Sequence, residues 1–493
     1  MSERKINLEI NVLESWLYQA ANILRGPVDQ SDFKAYIFPL LFFKRISDVY
    51  DEEYKNAIEE FGEDFDYLHR FIIPDGCHWN DVRETSENIG AKIHECIRAI
   101  EKENPEKLSG IFGDTQWSNK DKLSDAILKD LVEHFSQHNL NNNEVKSNTM
   151  GLAYEYLIKK FADDSNKSAG EFYTPREVVK LMTMILDPQE GCSIYDPTCG
   201  TGGMLLEAYE YVTDQGKNGE TLKLYGQEKN LTTSGIARIN MFLHDIEDFY
   251  ILRGDTLREP QFHQDDKLQT FDCVIANPPF SLKNWGREEW KNDPYGRNSL
   301  GVPPVSYGDY AWVEHMLKSL KDDGKMTVVL PQGVLFRGAS EGKIRKKIID
   351  NDYIETVIGL GEGLFYGTGI STSILVFNKK KDEAKKNKIQ VIDASEIYKK
   401  DRRQNYLEPS HIEEIYNLYK NYEDIEGKCR VVEIDEIKEE NDYNLNIALY
   451  VDKIEEDDGI TLEQAYNDMI KAYEEATKAE EELKLILKEM GVM

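Results

Sequence analysis

The sequence lacks the features of a membrane or secreted protein. No stretch of its 493 residues approaches the roughly 18 consecutive apolar residues of a membrane-spanning helix, and MSERKINLEI at the start has no apolar run of a secretory signal. The six cysteines are scattered. The segment between Cys192 and Cys199, which contains YDPT, does not give them the spacing of metal ligands. We therefore expect a soluble, cytoplasmic protein without disulfides and without a bound metal.

Positive charge is also scarce. Lysine and arginine number 60 against 91 acidic residues, which gives a formal net charge of −31. Phosphate contacts require clustered positive charge, so the chain is poorly suited to hold DNA by itself. If nucleic acid is the substrate, another subunit is expected to supply much of the binding. The basic runs at residues 343–347 and 379–388 are more typical of solvated helix faces or loops.

The length indicates two or three domains, because single cores stop growing near roughly 250 to 300 residues. Residues 1–147 have apolar side chains at helical spacing and predict a helical domain. Residues 148–455 predict an α/β domain, since β-rich runs alternate with helical ones as in a parallel, doubly wound sheet. These runs are CSIYD, LKLYGQE, FDCVIAN, KMTVVLP, YIETVIGL and TSILVFN.

Residues 456–493 predict a helical tail with one apolar seam. The seam has a four-three spacing interrupted only by Glu480, and a helix of this kind requires a partner surface. That partner is either the N-terminal helices of the same chain or helices of another chain. The seam residues are Leu462, Tyr466, Met469, Tyr473, Ala476, Leu483, Leu487 and Met490.

A glycine-rich segment, YDPTCGTGG at 195–203, joins the first predicted strand to a helix. Glycines at such a turn let a ligand approach the backbone, and the helix N-terminus offers unpaired N–H groups. The spacing matches neither a dinucleotide fingerprint nor a phosphate loop. Asp196 and Pro197 before the glycines favour a cofactor loop over a turn that is only structural.

Two acidic residues follow the next strands. Glu228 ends the second strand and is placed to accept hydrogen bonds from two ribose hydroxyls, although a surface glutamate is the alternative. Asp255, in LRGDTL, is a weaker candidate acceptor for the exocyclic amine of an adenine ring. Its alternative role is to cap a helix or turn.

Upstream, GEFYTPREVVKLM begins as a loop and continues as a helix, with Thr174 as its predicted cap and Pro175 at its first position. Phe172 and Tyr173 form either a wall of the cofactor site or a hydrophobic staple between this helix and the sheet.

The segment FDCVIANPPF places an apolar strand directly before Asn277, Pro278, Pro279 and Phe280. Strand ends in open α/β sheets bind ligands, and the prolines restrict the backbone so that the Pro278 carbonyl and the Asn277 side chain can face the same way. Two such acceptors suit an exocyclic amino group, and Phe280 offers a face for stacking an extruded base. A turn with an incidental phenylalanine is the alternative.

Together, DPTCGTGG, ANPPF and GEFYTP resemble an adenine-N6 DNA methyltransferase and, more narrowly, the modification subunit of type I restriction-modification systems. LPQGVLFRG at 330–338 adds to the resemblance. It implies a Rossmann-like, S-adenosylmethionine-dependent methyltransferase sheet with an N-terminal helical domain and a C-terminal helical tail. S-adenosylmethionine would contact Phe172, Tyr173, Thr174, Asp196, Thr198, Gly200, Thr201, Gly202, Glu228 and Asp255. The target adenine would be held by Asn277, Pro278, Pro279 and Phe280.

The resemblance also implies partners. Such subunits act on DNA, assemble as two modification subunits with one specificity subunit, and a restriction subunit can join them. Three alternatives remain open: methylation of cytosine N4, methylation of a protein glutamine, and a non-catalytic assembly role. Phe280 favours adenine, because glutamine methyltransferases tend to have tyrosine there and N4-cytosine enzymes usually have serine in place of Asn277.

Overall fold

The computed structural model describes residues 8–164, 174–365, 369–402, 404–452 and 461–490. The chain divides into two compact units, Met1–Val451 and Asp452–Met493. Within the described residues, no helix has the length and apolar character needed to cross a membrane.

The described residues before the sheet are helical, as the sequence predicts. Their core is aromatic and centres on the long second helix, whose Phe38, Phe42 and Phe43 are buried among the other helices. The helices are α1 (Ile10–Leu24), α2 (Phe33–Phe61), α3 (Trp79–Glu84), α4 (Ile89–Glu103), α5 (Pro105–Leu108), α6 (Asp125–Phe135) and α7 (Ser147–Asp164).

The remainder of the first unit is α/β. Its strands are β1 (Ser193–Asp196), β2 (Lys223–Glu228), β3 (Phe249–Arg253), β4 (His263–Gln264), β5 (Lys267–Leu268), β6 (Phe271–Ala276), β7 (Leu320–Pro331), β8 (Ile354–Leu360), β9 (Thr372–Asn378), β10 (Lys388–Ala394) and β11 (Cys429–Glu433). The helices are α8 (Arg176–Leu186), α9 (Gly203–Asp214), α10 (Leu231–Leu243), α11 (Arg287–Trp290), α12 (Asp309–Lys318), α13 (Ala339–Asp350), α14 (Pro409–Asn421) and α15 (Ile434–Glu439).

Nine strands form one sheet in the order β11-β10-β8-β9-β7-β6-β1-β2-β3, and β4 pairs with β5 separately. The sequence predicts a parallel sheet, and this prediction is wrong for two strands. Strand β9 runs antiparallel to both β7 and β8, and β11 runs antiparallel to β10. A parallel pair requires a crossover of about a dozen residues or more, usually a helix. The connection from Leu360 to Thr372 holds no such helix in its described part. The chain therefore turns back directly, and β9 lies antiparallel between β8 and β7.

Helices cover both faces of the sheet. Apolar side chains of α8, α9 and α14 pack on one face, whereas those of α12, α13 and α15 pack on the other. Helix α10 also contributes Ile239 and Phe242 to the core of the N-terminal helices. The helical region and the sheet region therefore share buried residues within one compact unit.

The second unit contains α16 (Leu462–Glu489), which confirms the predicted terminal helix. It begins with a capping box, in which Thr461 Oγ1 accepts from the Gln464 amide at 3.2 Å and Gln464 Oε1 accepts from the Thr461 amide at 3.0 Å. Several large apolar side chains of this helix are exposed: Tyr466, Met469, Tyr473, Leu483, Leu485, Ile486 and Met490.

Candidate functional site

Three of the predicted site residues lie at one edge of the sheet. Strand β1 lies between β6 and β2 and is parallel to both. Their carboxyl ends therefore bring Asp196, Asn277 and Glu228 to the same edge. This is where open α/β sheets bind their ligands.

A pocket opens at this edge. Six of the predicted site residues line it: Thr174, Asp196, Thr198, Gly200, Thr201 and Asn277. Seven further residues that were not predicted as site residues also line it: Glu155, Ile158, Val179, Cys199, Gly203, Met204 and Asn240. Phe172 and Tyr173 lie outside the described residues.

The glycine-rich turn has the backbone geometry that only glycine adopts readily. Gly200 and Gly202 have φ angles of 53° and 83°, in the left-handed region. A Cβ on Gly202 would lie 3.0 Å from the Met241 side chain. The turn therefore presents bare backbone at the start of α9, and at Gly202 a side chain would crowd Met241.

Asp196 holds this turn from the end of β1. Its carboxylate accepts from the Thr198 amide at 2.9 Å and is 2% exposed. Burial raises the pKa of Asp196 to about 7, and the hydrogen bond from Thr198 only partly opposes that rise. An unfavourable buried charge next to the pocket is typical of a functional site.

Glu228 supports the glycine turn and does not line the pocket. Its two carboxylate oxygens accept from the amides of Gly200 at 3.1 Å and Asn230 at 2.7 Å. Burial raises the pKa of Glu228, and these amide donors oppose the rise. Each oxygen retains a further lone pair, so hydroxyl donors remain acceptable partners.

Asp255 is placed differently from the pocket residues. Its carboxylate accepts from the Arg258 amide at 3.3 Å and pairs with the Lys229 ammonium at 2.9 Å. This is the geometry of a turn cap, the alternative that the sequence left open. The structure therefore does not bring Asp255 into the pocket lining.

Asn277 is the polar side chain at the tip of β6. Its Nδ2 donates to Thr174 Oγ1 at 3.0 Å, and its Oδ1 is buried without a hydrogen-bond partner among the described residues. An unpaired buried acceptor is costly unless a ligand satisfies it. The Asn277 oxygen is thus prepared for an incoming donor.

The predicted helix cap at Thr174 is wrong. The carbonyl of Pro175 accepts from the Val178 and Val179 amides at 3.0 and 3.1 Å, so Pro175 is the cap residue of α8 and Arg176 begins the helix. Thr174 lies one residue further upstream, and its hydroxyl is engaged by Asn277 instead. A tertiary partner has replaced the local capping role.

The prolines and Phe280 complete the segment. Pro278 is buried, whereas Pro279 and Phe280 are half-buried. The Phe280 ring meets Phe365 edge to face, with centroids 6.0 Å apart and an interplanar angle of 71°. A partly exposed aromatic ring beside an unpaired acceptor is suited to bind a planar heterocycle.

Two polar residues of the pocket were missed by the sequence reasoning. Asn240, in the otherwise apolar GIARINMFL of α10, donates from Nδ2 to the Thr201 carbonyl at 3.2 Å, and its Oδ1 is buried and unpaired among the described residues. Glu155 of α7 pairs with Arg176 at 3.1 Å, and burial raises its pKa to about 7. An asparagine within an apolar helical run was the only available signal, and nothing marked Glu155.

Comparisons with known proteins agree with this geometry. The chain matches the family N-6 DNA Methylase over residues 145–459 and the HsdM N-terminal domain over residues 13–135. It is 34% identical over 499 residues to the type I restriction enzyme MjaVII methylase subunit of Methanocaldococcus jannaschii, covering 96% of this chain and 82% of that protein.

It is also similar to the type I restriction enzyme MpnII methylase subunit of Mycoplasma pneumoniae, with 30% identity over 500 residues and 91% of each chain covered. The crystal structure of the type I restriction-modification system methyltransferase subunit from Streptococcus thermophilus superposes with a TM-score of 0.79 at 31% identity. That match covers 90% of this chain and all of the other.

Proposed function

Because the chain belongs to the N-6 DNA methylase family, among the methylase subunits of type I restriction enzymes, we propose that it methylates adenine N6 in DNA with Asn277 as the central residue. The single observation that carries the assignment of the site is the buried, unpaired Oδ1 of Asn277 in the wall of the pocket. An exocyclic amino group supplies the donor that this oxygen lacks.

The pocket residues fit S-adenosylmethionine. Left-handed glycines leave the backbone open, and the buried Asn240 oxygen offers an acceptor without a partner among the described residues. The acidic Asp196 would suit a ligand that carries positive charge, as would Glu155, which already pairs with Arg176. Glu228, which accepts from the Gly200 amide of the turn, would receive the ribose hydroxyls. When bound there, S-adenosylmethionine supplies an activated methyl group on a sulfonium.

Asn277 and Pro278 would act on the adenine amino group. That nitrogen is a poor nucleophile because its lone pair is delocalised into the ring. When the Asn277 oxygen and the Pro278 carbonyl accept its two hydrogens, they favour a tetrahedral nitrogen whose lone pair is available for attack. The Thr174 hydroxyl fixes the amide orientation, because it accepts from Nδ2 and leaves the oxygen for the substrate.

Phe280 would stack on the adenine after that base has left the duplex. The target nitrogen is inaccessible within a base pair, so chemistry on it requires extrusion of the nucleotide. Stacking on an aromatic ring contributes roughly 1 to 3 kcal/mol per base. The half-buried Phe280, held edge to face by Phe365, is the candidate platform.

A specificity subunit would supply the DNA contacts that this acidic chain lacks. A net charge of −31 opposes independent binding to a polyanion. The exposed apolar side chains of α16 are suited to a helical partner, and we propose that they join this chain to the specificity subunit. A complex of two such chains with one specificity subunit, with a restriction subunit able to join it, is the assembly we expect in the cytoplasm.

The test is a nucleoside digest of duplex DNA incubated with labelled S-adenosylmethionine and this chain, with and without the candidate specificity subunit. We expect label in N6-methyldeoxyadenosine only when the partner is present. Label in N4-methylcytosine or in protein would overturn the assigned substrate. No label in the complex, despite S-adenosylmethionine binding in calorimetry, would overturn the catalytic role.

A further inference from the structure

We propose that Asp309 is a positioning residue that fixes the backbone immediately after residues 277–280, and that Arg337 holds Asp309 in place. This inference rests on the proposed function. It assigns a role to the LPQGVLFRG segment, which contributes nothing to the pocket lining.

Asp309, at the start of α12, contacts the backbone that directly follows residues 277–280. It is fully buried, and its Oδ1 accepts from the Ser281 amide at 2.7 Å. Ser281 follows Phe280 directly and has a φ of 51°, a left-handed conformation that is unfavourable for a residue with a side chain. The buried carboxylate therefore stabilises a backbone geometry that Ser281 would not keep by itself.

A second hydrogen bond reinforces this junction. The Gly308 amide donates to the Leu282 carbonyl at 3.0 Å, beside the contact between Asp309 and Ser281. A Cβ on Gly308 would lie 3.0 Å from Cγ of Trp285, so the two ends of the loop approach closely. The long loop after Phe280 thus returns to its own starting point at α12.

Arg337 fixes the other oxygen of Asp309. Its Nη2 donates to Asp309 Oδ2 at 2.6 Å, and its Nε donates to Glu341 Oε2 at 2.6 Å. The guanidinium also lies over the Tyr307 ring, 4.4 Å from its centroid. Two carboxylates and one ring therefore surround the guanidinium. Burial raises the pKa of Asp309, and Arg337 opposes that rise by favouring the charged carboxylate.

The segment that carries Arg337 is itself held rigidly. Buried Arg345 donates to the carbonyls of Val334 at 3.0 Å and Arg337 at 2.9 Å. The Tyr310 hydroxyl donates to the same Val334 carbonyl at 2.8 Å. A continuous set of contacts therefore runs from the loop after β7 to the backbone after Phe280. Loss of these contacts is expected to displace residues 277–280, and displacement of reacting groups by about 1 Å can cost roughly 100-fold in rate.

The test compares Asp309→Asn with a matched control, Asp352→Asn. Asp352 also accepts from one amide and one cation, Asn387 at 2.9 Å and Lys381 at 2.5 Å, but it lies before β8 at the opposite edge of the sheet. In the complex with the specificity subunit, we expect Asp309→Asn to lower kcat for N6-methyladenine formation about 100-fold. The control is expected to stay within about twofold of the parent rate, since Asp352 is remote from residues 277–280.

Calorimetry should give both variants the S-adenosylmethionine affinity of the parent protein. Thermal melting measures the loss of stability of each, which should be larger for the fully buried Asp309 than for the half-buried Asp352. If both variants lose activity only in proportion to lost folded protein, Asp309 is merely structural and the inference is overturned. A parent complex that transfers no label to adenine would overturn the proposed function instead.

Arg337→Met tests the second member of the pair. We expect it to lower kcat about as much as Asp309→Asn does, and the double variant to be no slower than either single one, because both act through the same contact. If the losses in kcat of the two single variants combined in the double variant, Asp309 and Arg337 would not act through one contact. An increase in the KM for DNA with unchanged kcat would show that Arg337 contacts DNA and would also overturn the proposal.

Discussion

The Asn277 side chain donates to the Thr174 hydroxyl at 3.0 Å, and this contact determines which end of the amide is available to a ligand. With Nδ2 engaged, Oδ1 is left as a buried acceptor in the pocket wall. The oxygen is the atom that an exocyclic amino group requires.

Replacement of Asn277 by alanine should nearly abolish methyl transfer and leave cofactor binding close to intact. We expect kcat to fall by about 100- to 1,000-fold, as when one preorganised hydrogen-bonding group is removed from an active site. Calorimetry should show S-adenosylmethionine affinity within about threefold of the parent. An equal loss of transfer and of binding would mean that Asn277 is structural.

Thr174→Val should have a smaller effect on the same step. The substitution keeps the shape of the side chain but removes the acceptor for Asn277 Nδ2, so the amide loses its fixed orientation. We expect kcat to fall about tenfold, corresponding to about 1.4 kcal/mol. A parent-like kcat would show that the Asn277 side chain is oriented by other contacts.

Gly202→Ala should weaken S-adenosylmethionine binding by about tenfold or more, because left-handed backbone is strained by a Cβ that also meets Met241. Gly216→Ala is the matched control. Gly216 has a φ of 73° but no atom within 4 Å of the added Cβ, and it lies just beyond the C-terminal end of α9, away from the glycine-rich turn. Gly202→Ala should lose more stability in urea than the control because of the contact with Met241, and among folded molecules only Gly202→Ala should lose affinity. Equal affinities would argue against a cofactor role for the turn.

Asp196→Asn should remove a pH-dependent contribution to stability. Burial raises the pKa of Asp196 from 3.8 to about 7, so the folded state binds a proton that the unfolded state has released between those values. The associated stability is fully present below about pH 4 and is lost as pH rises through about 7. As pH rises between those limits, the free energy of unfolding of the variant should increase relative to that of the parent by up to roughly 4 kcal/mol.

Urea unfolding without S-adenosylmethionine, from pH 4.5 to 8, measures this difference. Asp125→Asn provides a control that should be independent of pH in this range, because the ammonium of Lys120 and the Asn88 amide lower the pKa of this exposed carboxylate. Its contribution is fully present above the unfolded pKa and is lost only as pH falls through the still lower folded pKa, below the range measured. Stability curves for Asp196→Asn and the parent that stay parallel would refute the buried titration.

Tyr473→Glu should weaken assembly with the specificity subunit. Tyr473 is 73% exposed on the apolar seam of α16, and a charge there opposes burial against a partner helix. Asn467→Glu, which adds the same charge to the same helix away from the seam, is the control. Gel filtration of the mixed subunits should show a smaller complex for Tyr473→Glu alone, with S-adenosylmethionine affinity unchanged. An intact complex would exclude this face as the interface.

The local motifs were readable from sequence because each depends on neighbours in the chain. Glycines at 200 and 202 indicated a tight turn, and the structure gives both a left-handed conformation. The capped terminal helix was equally local, since Thr461 and Gln464 satisfy each other within one turn.

Residues with two competing roles were not decided by sequence. Asp255 suited either a cap or a ligand contact, and the structure gives it the Arg258 amide and Lys229. Thr174 looked like a helix cap until Asn277, remote in sequence, competed for its hydroxyl. Such choices depend on distances between elements, which no local pattern encodes.

The sequence by itself determined six strands of the main sheet, the glycine turn and the chemistry available at the end of β6, because these follow from local backbone preference and side-chain type. Only the tertiary structure showed the three further sheet strands β3, β10 and β11, the antiparallel direction of β9, the entry of Asn240 and Glu155 into the pocket, and the contact of Asp309 with Ser281. The direction of β9 depends on a connection that holds no crossover helix in its described part. The polar contacts depend on residues distant in the chain, where unpaired buried donors and acceptors are costly enough to select one arrangement.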